Sequence, residues 1–92
     1  MGATTTALRV SKLRGLLERS FPGAEIHALR RETRPGRIGG VLVWERFRHK
    51  DQFDRQQELW TKLKAELDAG EMQQIGLILT VTPDEYRAFT HQ

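Results

Sequence analysis

The side chains able to carry out acid–base or metal chemistry are few, and none of them forms a recognisable site. The candidates are the three histidines, His27, His49 and His91, and acidic pairs such as Asp51/Asp54 and Asp84/Glu85. The histidines fall in a predicted strand, a predicted turn and the C-terminus, without the spacing of metal ligands. Both acidic pairs stand at predicted helix starts, where capping accounts for them. Without cysteine there is also no thiolate chemistry. We therefore expect a protein that is not an enzyme and holds no metal or cofactor.

Cationic side chains form a stronger pattern than the titratable ones. Residues 1–50 carry eleven Lys/Arg against four Asp/Glu, a net charge of +7, whereas residues 51–92 carry four against eight, a net charge of −4. The cations of the first half concentrate in a loop and a turn: Arg30, Arg31, Arg34, Arg37, Arg46, Arg48, His49 and Lys50. A focused positive region attracts phosphates or an acidic protein surface. The alternative interpretation is a solvated basic face that keeps the protein soluble.

Hydrophobic periodicity and turn residues predict the elements that hold these cations. The predicted elements are helix 4–20, strand 24–31, strand 41–47, helix 51–67, strand 75–81 and a short helix capped by Thr82. The hydroxyls of Thr4–Thr6 are the predicted N-caps of the first helix. In the first strand we expect Ile26 and Ala28 on one face, with His27 and Leu29 on the other.

The second strand and the long helix form the predicted centre of the domain. Strand 41–47 should return antiparallel to the first strand, with Trp44 and Phe47 in the core. The long helix begins at Asp51 and has a predicted apolar stripe: Phe53, Trp60, Leu63 and Leu67. A C-cap is predicted at Ala69-Gly70.

The last strand and helix complete the predicted fold. Strand 75–81 is nearly all apolar, which predicts an interior position in the sheet. Its connection through a helix predicts that it runs parallel to the second strand. Tyr86 and Phe89 of the final helix should turn inward. The expected architecture is α+β, in the order αββαβα, with a three-stranded mixed sheet and helices packed on one face.

Length and composition limit the broader assignment. The 92 residues predict a single domain, ordered over about residues 5–90. No apolar run approaches the roughly 20 residues of a membrane-spanning helix, and no signal peptide is recognised. We expect a cytoplasmic protein without membrane association, as a monomer or weak dimer.

A family resemblance rests on three groups of residues. Glu45-Arg46-Phe47 followed by Arg55-Gln56-Gln57-Glu58-Leu59-Trp60 resembles the strand–turn–helix core of the BolA-like family. Thr82-Pro83-Asp84-Glu85-Tyr86 is similar to the family's ending, and Phe21-Pro22-Gly23-Ala24 also fits. The resemblance implies a type II KH-like sheet and a non-enzymatic protein linked to transcriptional regulation, stress response and nucleic-acid binding. It also implies monothiol glutaredoxin as a partner, around a [2Fe–2S] cluster.

Two departures from the family pattern concern the cluster ligands. Gln74 stands where family members usually carry a histidine before the last strand, and no histidine occurs between residues 28 and 48. An amide is a poor iron ligand. In place of the family's glycine, the turn holds Arg48, His49 and Lys50. This turn delivers the chain to a helix N-terminus, which favours phosphate.

Two functions therefore remain open at the level of the sequence. The first is a nucleic-acid-binding regulator that uses the turn together with the hairpin: Arg48, His49, Lys50, Arg30, Arg31, Arg34 and Arg37. In that case Trp44 or Phe47 would stack a base if either ring were exposed. The second is a protein–protein adaptor for a monothiol glutaredoxin or another acidic partner, with cluster ligation left open because Gln74 replaces the family histidine.

Overall fold

The structure is a computed structural model that describes residues 7–34 and 36–90. Its elements are α1 (Val10–Ser20), β1 (Glu25–Arg31), β2 (Ile38–Val43), a 3-10 turn (Glu45–Phe47), α2 (Gln52–Glu66), α3 (Ala69–Met72), β3 (Ile75–Val81) and α4 (Pro83–Thr90). The α+β class and the three-stranded mixed sheet are confirmed. No helix in the described ranges combines the length and the apolar character that crossing a membrane requires.

The sheet has the order β1-β2-β3, with β1 antiparallel to β2 and β2 parallel to β3. The hairpin and the parallel crossover are therefore confirmed. The prediction that the third strand is interior is wrong, since β2 is the central strand and β3 is an edge. The apolar character of β3 has another cause: Ile75 and Ile78 face the core, whereas Leu77 faces away and is 69% exposed.

The second strand is shorter than predicted. β2 ends at Val43, and Glu45–Phe47 forms a 3-10 turn in which the Phe47 N–H donates to the Trp44 carbonyl at 3.1 Å. This turn folds Phe47 back, so that its ring lies 5.2 Å from that of Trp44 and 6.0 Å from that of Phe21. Trp44 and Phe47 are both buried, as predicted. Neither ring is available to stack a base.

Helix α1 begins later than predicted. Its N-cap is Arg9, which makes no side-chain cap hydrogen bond, and residues 7–9 are not helical. The segment before the helix is held instead by Leu8, whose N–H donates to Gln74 Oε1 at 2.7 Å. The predicted caps Thr4–Thr6 lie outside the described residues.

Helix α2 begins where the sequence predicts, but it buries a different stripe. Asp51 is the N-cap and accepts a hydrogen bond from the Asp54 N–H at 2.9 Å. The buried residues are Arg55, Leu59 and Leu63, whereas Phe53 is 68% exposed. The predicted position of Phe53 in the inner stripe is therefore wrong.

The predicted C-cap at Ala69-Gly70 is also wrong. These two residues open the short helix α3, because Asp68 forms a reciprocal capping box with Glu71. The Asp68 carboxylate accepts from the Glu71 N–H at 2.7 Å, and the Glu71 carboxylate accepts from the Asp68 N–H at 3.1 Å.

A bulge in β1 overturns the predicted alternation of its side chains. The pairing with β2 shifts register between His27 and Arg30, and Ala28 has a φ of 54°. Consequently Ile26 and Leu29, predicted on opposite faces, both contact the hydrophobic core.

Helix α4 has the predicted cap, but Tyr86 and Phe89 do not both turn inward as predicted. The Thr82 hydroxyl accepts from the Glu85 N–H at 3.3 Å, and Pro83 is the first helical residue. Tyr86 stacks on His27 with ring centroids 4.5 Å apart, but Phe89 is 53% exposed. Because His27 pairs with Val41 on the face away from the core, the prediction that all helices pack on one face does not hold for α4.

Candidate nucleic-acid interface

The two groups of cations lie at opposite ends of the sheet. The hairpin loop precedes Ile38, and the turn with Arg48, His49 and Lys50 follows the 3-10 turn after Val43. The six residues of β2 stand between the two groups and span about 20 Å. The structure therefore does not join the turn and the hairpin into one groove, and each group must be considered by itself.

In the turn, the cations are neutralised by carboxylates. Arg48 contacts Glu45 through Nε and Nη2, the latter at 2.8 Å, and contacts Asp84 at 2.9 Å. Lys50 pairs with Glu58 at 2.6 Å. The hydrogen bonds that Arg48 donates to Glu45 and Asp84 raise the pKa of the Arg48 guanidinium, and the bond to Glu45 lowers the pKa of the Glu45 carboxyl.

The helix N-terminus beside this turn is also occupied. The Asp51 carboxylate takes the N–H group that a phosphate would otherwise bind, and Asp54 adds a second negative charge. His49 is exposed at a φ of 72° and forms the corner of the turn. Acidic groups therefore occupy the helix N-terminus where the sequence predicts phosphate binding.

In the hairpin, Arg31 has a structural role. Its Nη2 donates to the Leu8 carbonyl at 2.5 Å and to Gln74 Oε1 at 3.1 Å, while its Nη1 bonds the Gly36 carbonyl. Arg31 is the cross-strand partner of the buried Ile38. This pairing places the Arg31 side chain on the same side of the sheet as the helices. The guanidinium therefore joins the segment before α1 to the hairpin.

The other hairpin arginines are available to a ligand. Arg30, Arg34 and Arg37 are exposed, and none has a carboxylate within ion-pair distance in residues 7–34 and 36–90. Arg30 borders a shallow cavity of about 210 Å³ on the face away from the core, whose lining also includes the Glu32 carboxylate and the apolar side chains of Leu77 and Leu79. The hairpin end therefore has free positive charge next to an apolar surface.

Arg9 is a further cation at this end that the sequence analysis did not single out. It is exposed and follows Leu8, whose backbone is bound by Gln74 and Arg31. The sequence does not show this, because only the fold brings Leu8, the residue before Arg9, into contact with Arg31.

Gln74, at the position of the usual family histidine, is engaged in holding the fold. Its Oε1 accepts from Leu8 and Arg31, and its Nε2 donates to the Gly70 carbonyl at 3.3 Å. No group of three or more His, Cys, Asp or Glu suited to a metal ion occurs in the part of the chain that the structure describes.

Comparisons with known proteins add no identification. No family model matches the chain, and no curated protein matches it. The BolA-like resemblance and the type II KH-like topology it implies therefore stay predictions.

Polar residues of α2 also have a role that the sequence analysis missed. Gln56 Nε2 donates to the Ile78 carbonyl at 2.9 Å, and Gln52 Nε2 donates to the Thr80 carbonyl at 2.9 Å. Since the Val81 carbonyl accepts from Trp44 of the neighbouring chain segment, the carbonyls of Ile78 and Thr80 point to the outer edge of β3. The glutamines thus cover the backbone of an edge strand.

Proposed function

We propose that this protein is a non-enzymatic module that binds nucleic acid through the hairpin end, with Arg30, Arg34 and Arg37 as the contacting residues. The BolA-like resemblance of the sequence suggests a regulatory role for such binding. Arg31 supports the site from behind by fixing the hairpin against the segment before α1.

The observation that carries this proposal is the contrast between the two basic ends. Arg30, Arg34 and Arg37 have no ion pair among the described residues, whereas Arg48 and Lys50 each bind carboxylates. A phosphate that approached the turn would have to displace those carboxylates, but a phosphate at the hairpin displaces only water and counterions. Arginine also offers a planar donor fork that matches phosphate oxygens.

The experiment is a binding titration with fluorescently labelled single-stranded RNA and DNA at low salt. The double variant Arg34→Glu/Arg37→Glu should lose at least about tenfold in affinity, since two attractive contacts become repulsive. Arg19→Glu/Lys62→Glu is the matched control, because it changes the charge equally at two exposed sites elsewhere. Equal loss in both variants would show that only net charge matters and would reject a hairpin site.

A second variant distinguishes the hairpin from the turn. Arg48→Gln/Lys50→Gln removes the two cations of the turn without introducing new negative charge. We expect nearly unchanged affinity, because these cations are already paired. A loss as large as that of the hairpin variant would move the site to the turn.

The second candidate function is an adaptor for an acidic protein, such as a monothiol glutaredoxin. The apolar cavity beside Arg30 favours it, since protein interfaces combine apolar contacts with arginine. Because Gln74 is engaged in structural hydrogen bonds, we expect any such complex to be colourless. Visible absorbance from a purified complex would contradict this candidate in the form proposed here.

A further inference from the structure

The hairpin loop displays a threonine hydroxyl that the binding proposal does not use. Thr33 is exposed and lies in a bend just after β1, outside any helix or strand. Its hydroxyl makes no hydrogen bond to another residue in the ranges 7–34 and 36–90. A free hydroxyl on an exposed loop is accessible to an enzyme that modifies it.

Other hydroxyls in the described part of the chain are less accessible. The remaining serine and threonine residues there lie within helices, within β3 or at a helix cap: Ser11, Ser20, Thr61, Thr80, Thr82 and Thr90. A protein kinase binds its acceptor residue in an extended segment, so a helical acceptor must first unfold locally. Thr33 needs no such unfolding, because it follows the extended strand β1 and has no regular structure of its own.

Two arginines precede Thr33 at the positions by which an arginine-directed kinase selects its substrates. Arg30 and Arg31 stand three and two residues before it. Such kinases pair arginines at these positions with carboxylates of their own cleft. Arg31 is held by the carbonyls of Leu8 and Gly36, whereas Arg30 is exposed and has no ion pair among the residues described. Arg30 is therefore the arginine available for this recognition.

The loop geometry keeps Thr33 close to the hairpin arginines. An open cavity of about 310 Å³ is lined by Arg30, Arg31, Glu32 and Thr33. The base of the loop is closed by the Glu32 N–H, which donates to the Arg37 carbonyl at 2.8 Å. Since this bond closes the loop, a phosphate on Thr33 lies within reach of the guanidinium groups around the cavity.

The charge of a phosphate would oppose the positive charge of this loop. Residues 30–37 carry four arginines against one glutamate, a net charge of +3. Phosphothreonine brings a charge of about −1.5 to −2 at pH 7, which lowers that net charge to about +1. Arginine and phosphate also form paired, charge-assisted hydrogen bonds. Arginines engaged in this way are no longer available to the phosphates of a nucleic acid.

We propose that Thr33 is a phosphorylation site for an arginine-directed Ser/Thr protein kinase, and that its phosphate blocks the hairpin arginines. The blocking role rests on the proposed function, because nucleic acid is the ligand that the phosphate excludes. The kinase transfers the γ-phosphoryl group of ATP to Thr33 Oγ1. The bond between the γ-phosphorus and the β–γ bridging oxygen breaks, ADP leaves, and the hydroxyl proton passes to the catalytic aspartate of the kinase.

The first test is phosphorylation of the purified full chain by the catalytic subunit of cyclic-AMP-dependent protein kinase, an arginine-directed enzyme, with radiolabelled ATP. Wild type should take up about one phosphate per chain, and Thr33→Ala should take up none. Thr61→Ala is the matched control, because it removes an exposed threonine hydroxyl from α2 and should leave uptake unchanged. Arg30→Gln should slow uptake at least about tenfold, since the kinase loses a charged contact. Absence of uptake by wild type, or equal uptake by Thr33→Ala, would overturn the inference.

The second test asks whether the phosphate pairs with the arginines, without using nucleic acid. The second pKa of a phosphothreonine is about 6, and neighbouring guanidinium groups stabilise the dianion. Phosphorus NMR should therefore show the phosphate titrating at a lower pH in the folded protein than in the protein unfolded in urea. Equal titration midpoints would mean that the phosphate projects into solvent and would reject its pairing with the arginines.

The third test measures the consequence for binding. Phosphorylated wild type should bind labelled single-stranded RNA and DNA at least about tenfold more weakly than the unmodified protein. Thr33→Ala taken through the same kinase treatment should bind as before. Equal affinities before and after modification would reject the blocking role. If the unmodified protein binds no nucleic acid, the proposed function fails, and phosphate uptake and the NMR titration still decide the modification itself.

Discussion

Arg55 Nη1 donates to Glu85 Oε1 at 2.6 Å and thereby joins α2 to α4. Arg55 is only 5% exposed, and its Nε also reaches the carbonyls of Phe47 and Lys50, at 3.1 and 2.8 Å. One guanidinium therefore satisfies backbone groups of the turn and fixes the last helix. The guanidinium carbon, Cζ, also lies 5.9 Å from the centroid of the Phe47 ring, which adds a cation–π interaction.

The first prediction concerns this guanidinium. Arg55→Ala should lower the free energy of unfolding by about 3 kcal/mol, since buried carbonyls and a carboxylate lose their donor. Lys62→Ala, at an exposed position on the same helix, should change it by less than about 0.5 kcal/mol. Urea denaturation followed by circular dichroism measures both. Similar values for the two variants would show that the Arg55 network contributes little.

The second prediction concerns the pH dependence of stability. The hydrogen bonds from Arg55 and from the Thr82 N–H lower the pKa of the Glu85 carboxyl below its ordinary value of 4.5. The carboxylate therefore stabilises the fold fully above pH 4.5, and this contribution is lost as the pH falls through the lowered pKa. Glu85→Gln should accordingly lose less stability than wild type as the pH falls from above 4.5 through the lowered pKa of this carboxyl. Identical pH dependences would contradict the assignment.

The third prediction concerns Gln74. Gln74→Ala removes the acceptor of the Leu8 N–H and one partner of Arg31, at a cost of about 1 kcal/mol. Hydrogen exchange of the Leu8 amide should accelerate, whereas exchange in α2 should change little. Gln73→Ala, at the exposed neighbouring position, is the control. A Leu8 amide that stays protected in Gln74→Ala would mean that another group holds this segment.

The fourth prediction contrasts two glycines. A Cβ at Gly39 would lie 2.8 Å from the Leu77 carbonyl oxygen, which belongs to the backbone and cannot move aside. Gly39→Ala should therefore lower the free energy of unfolding by about 2 kcal/mol. A Cβ at Gly15 would lie 3.4 Å from the flexible end of Arg19, so Gly15→Ala should stabilise α1 by about 1 kcal/mol. Thermal unfolding measures both effects. If Gly39→Ala stabilised the protein, β2 and β3 would separate more easily than the geometry indicates.

Local signals in the sequence were sufficient for most elements of the fold. Asp51 and Thr82 each cap the helix that they were expected to cap, and a helical crossover made β2 and β3 parallel. The error at Phe53 arose because tertiary contacts outweigh the local pattern. Phe53 fits the periodicity of α2 but is exposed, and the buried position belongs to Arg55, which no apolar pattern would select.

The candidate site was less predictable than the fold, because pairing of charges depends on contacts between distant segments. The sequence shows Arg48 among basic neighbours but does not show that Asp84, thirty-six residues later, lies 2.9 Å away. Likewise, the sequence does not distinguish Arg31 from the other hairpin cations, because its hydrogen bonds to Leu8 and Gln74 form only in the folded chain. Only the folded chain separates structural arginines from available ones.

The most direct test of the account is the salt dependence of single-stranded nucleic-acid binding. Each phosphate contact contributes to the slope of log affinity against log salt concentration. We predict that Arg34→Gln/Arg37→Gln lowers this slope by about 1.4 relative to wild type, while Arg48→Gln/Lys50→Gln leaves it unchanged. A slope that falls in the turn variant and not in the hairpin variant would contradict the hairpin site.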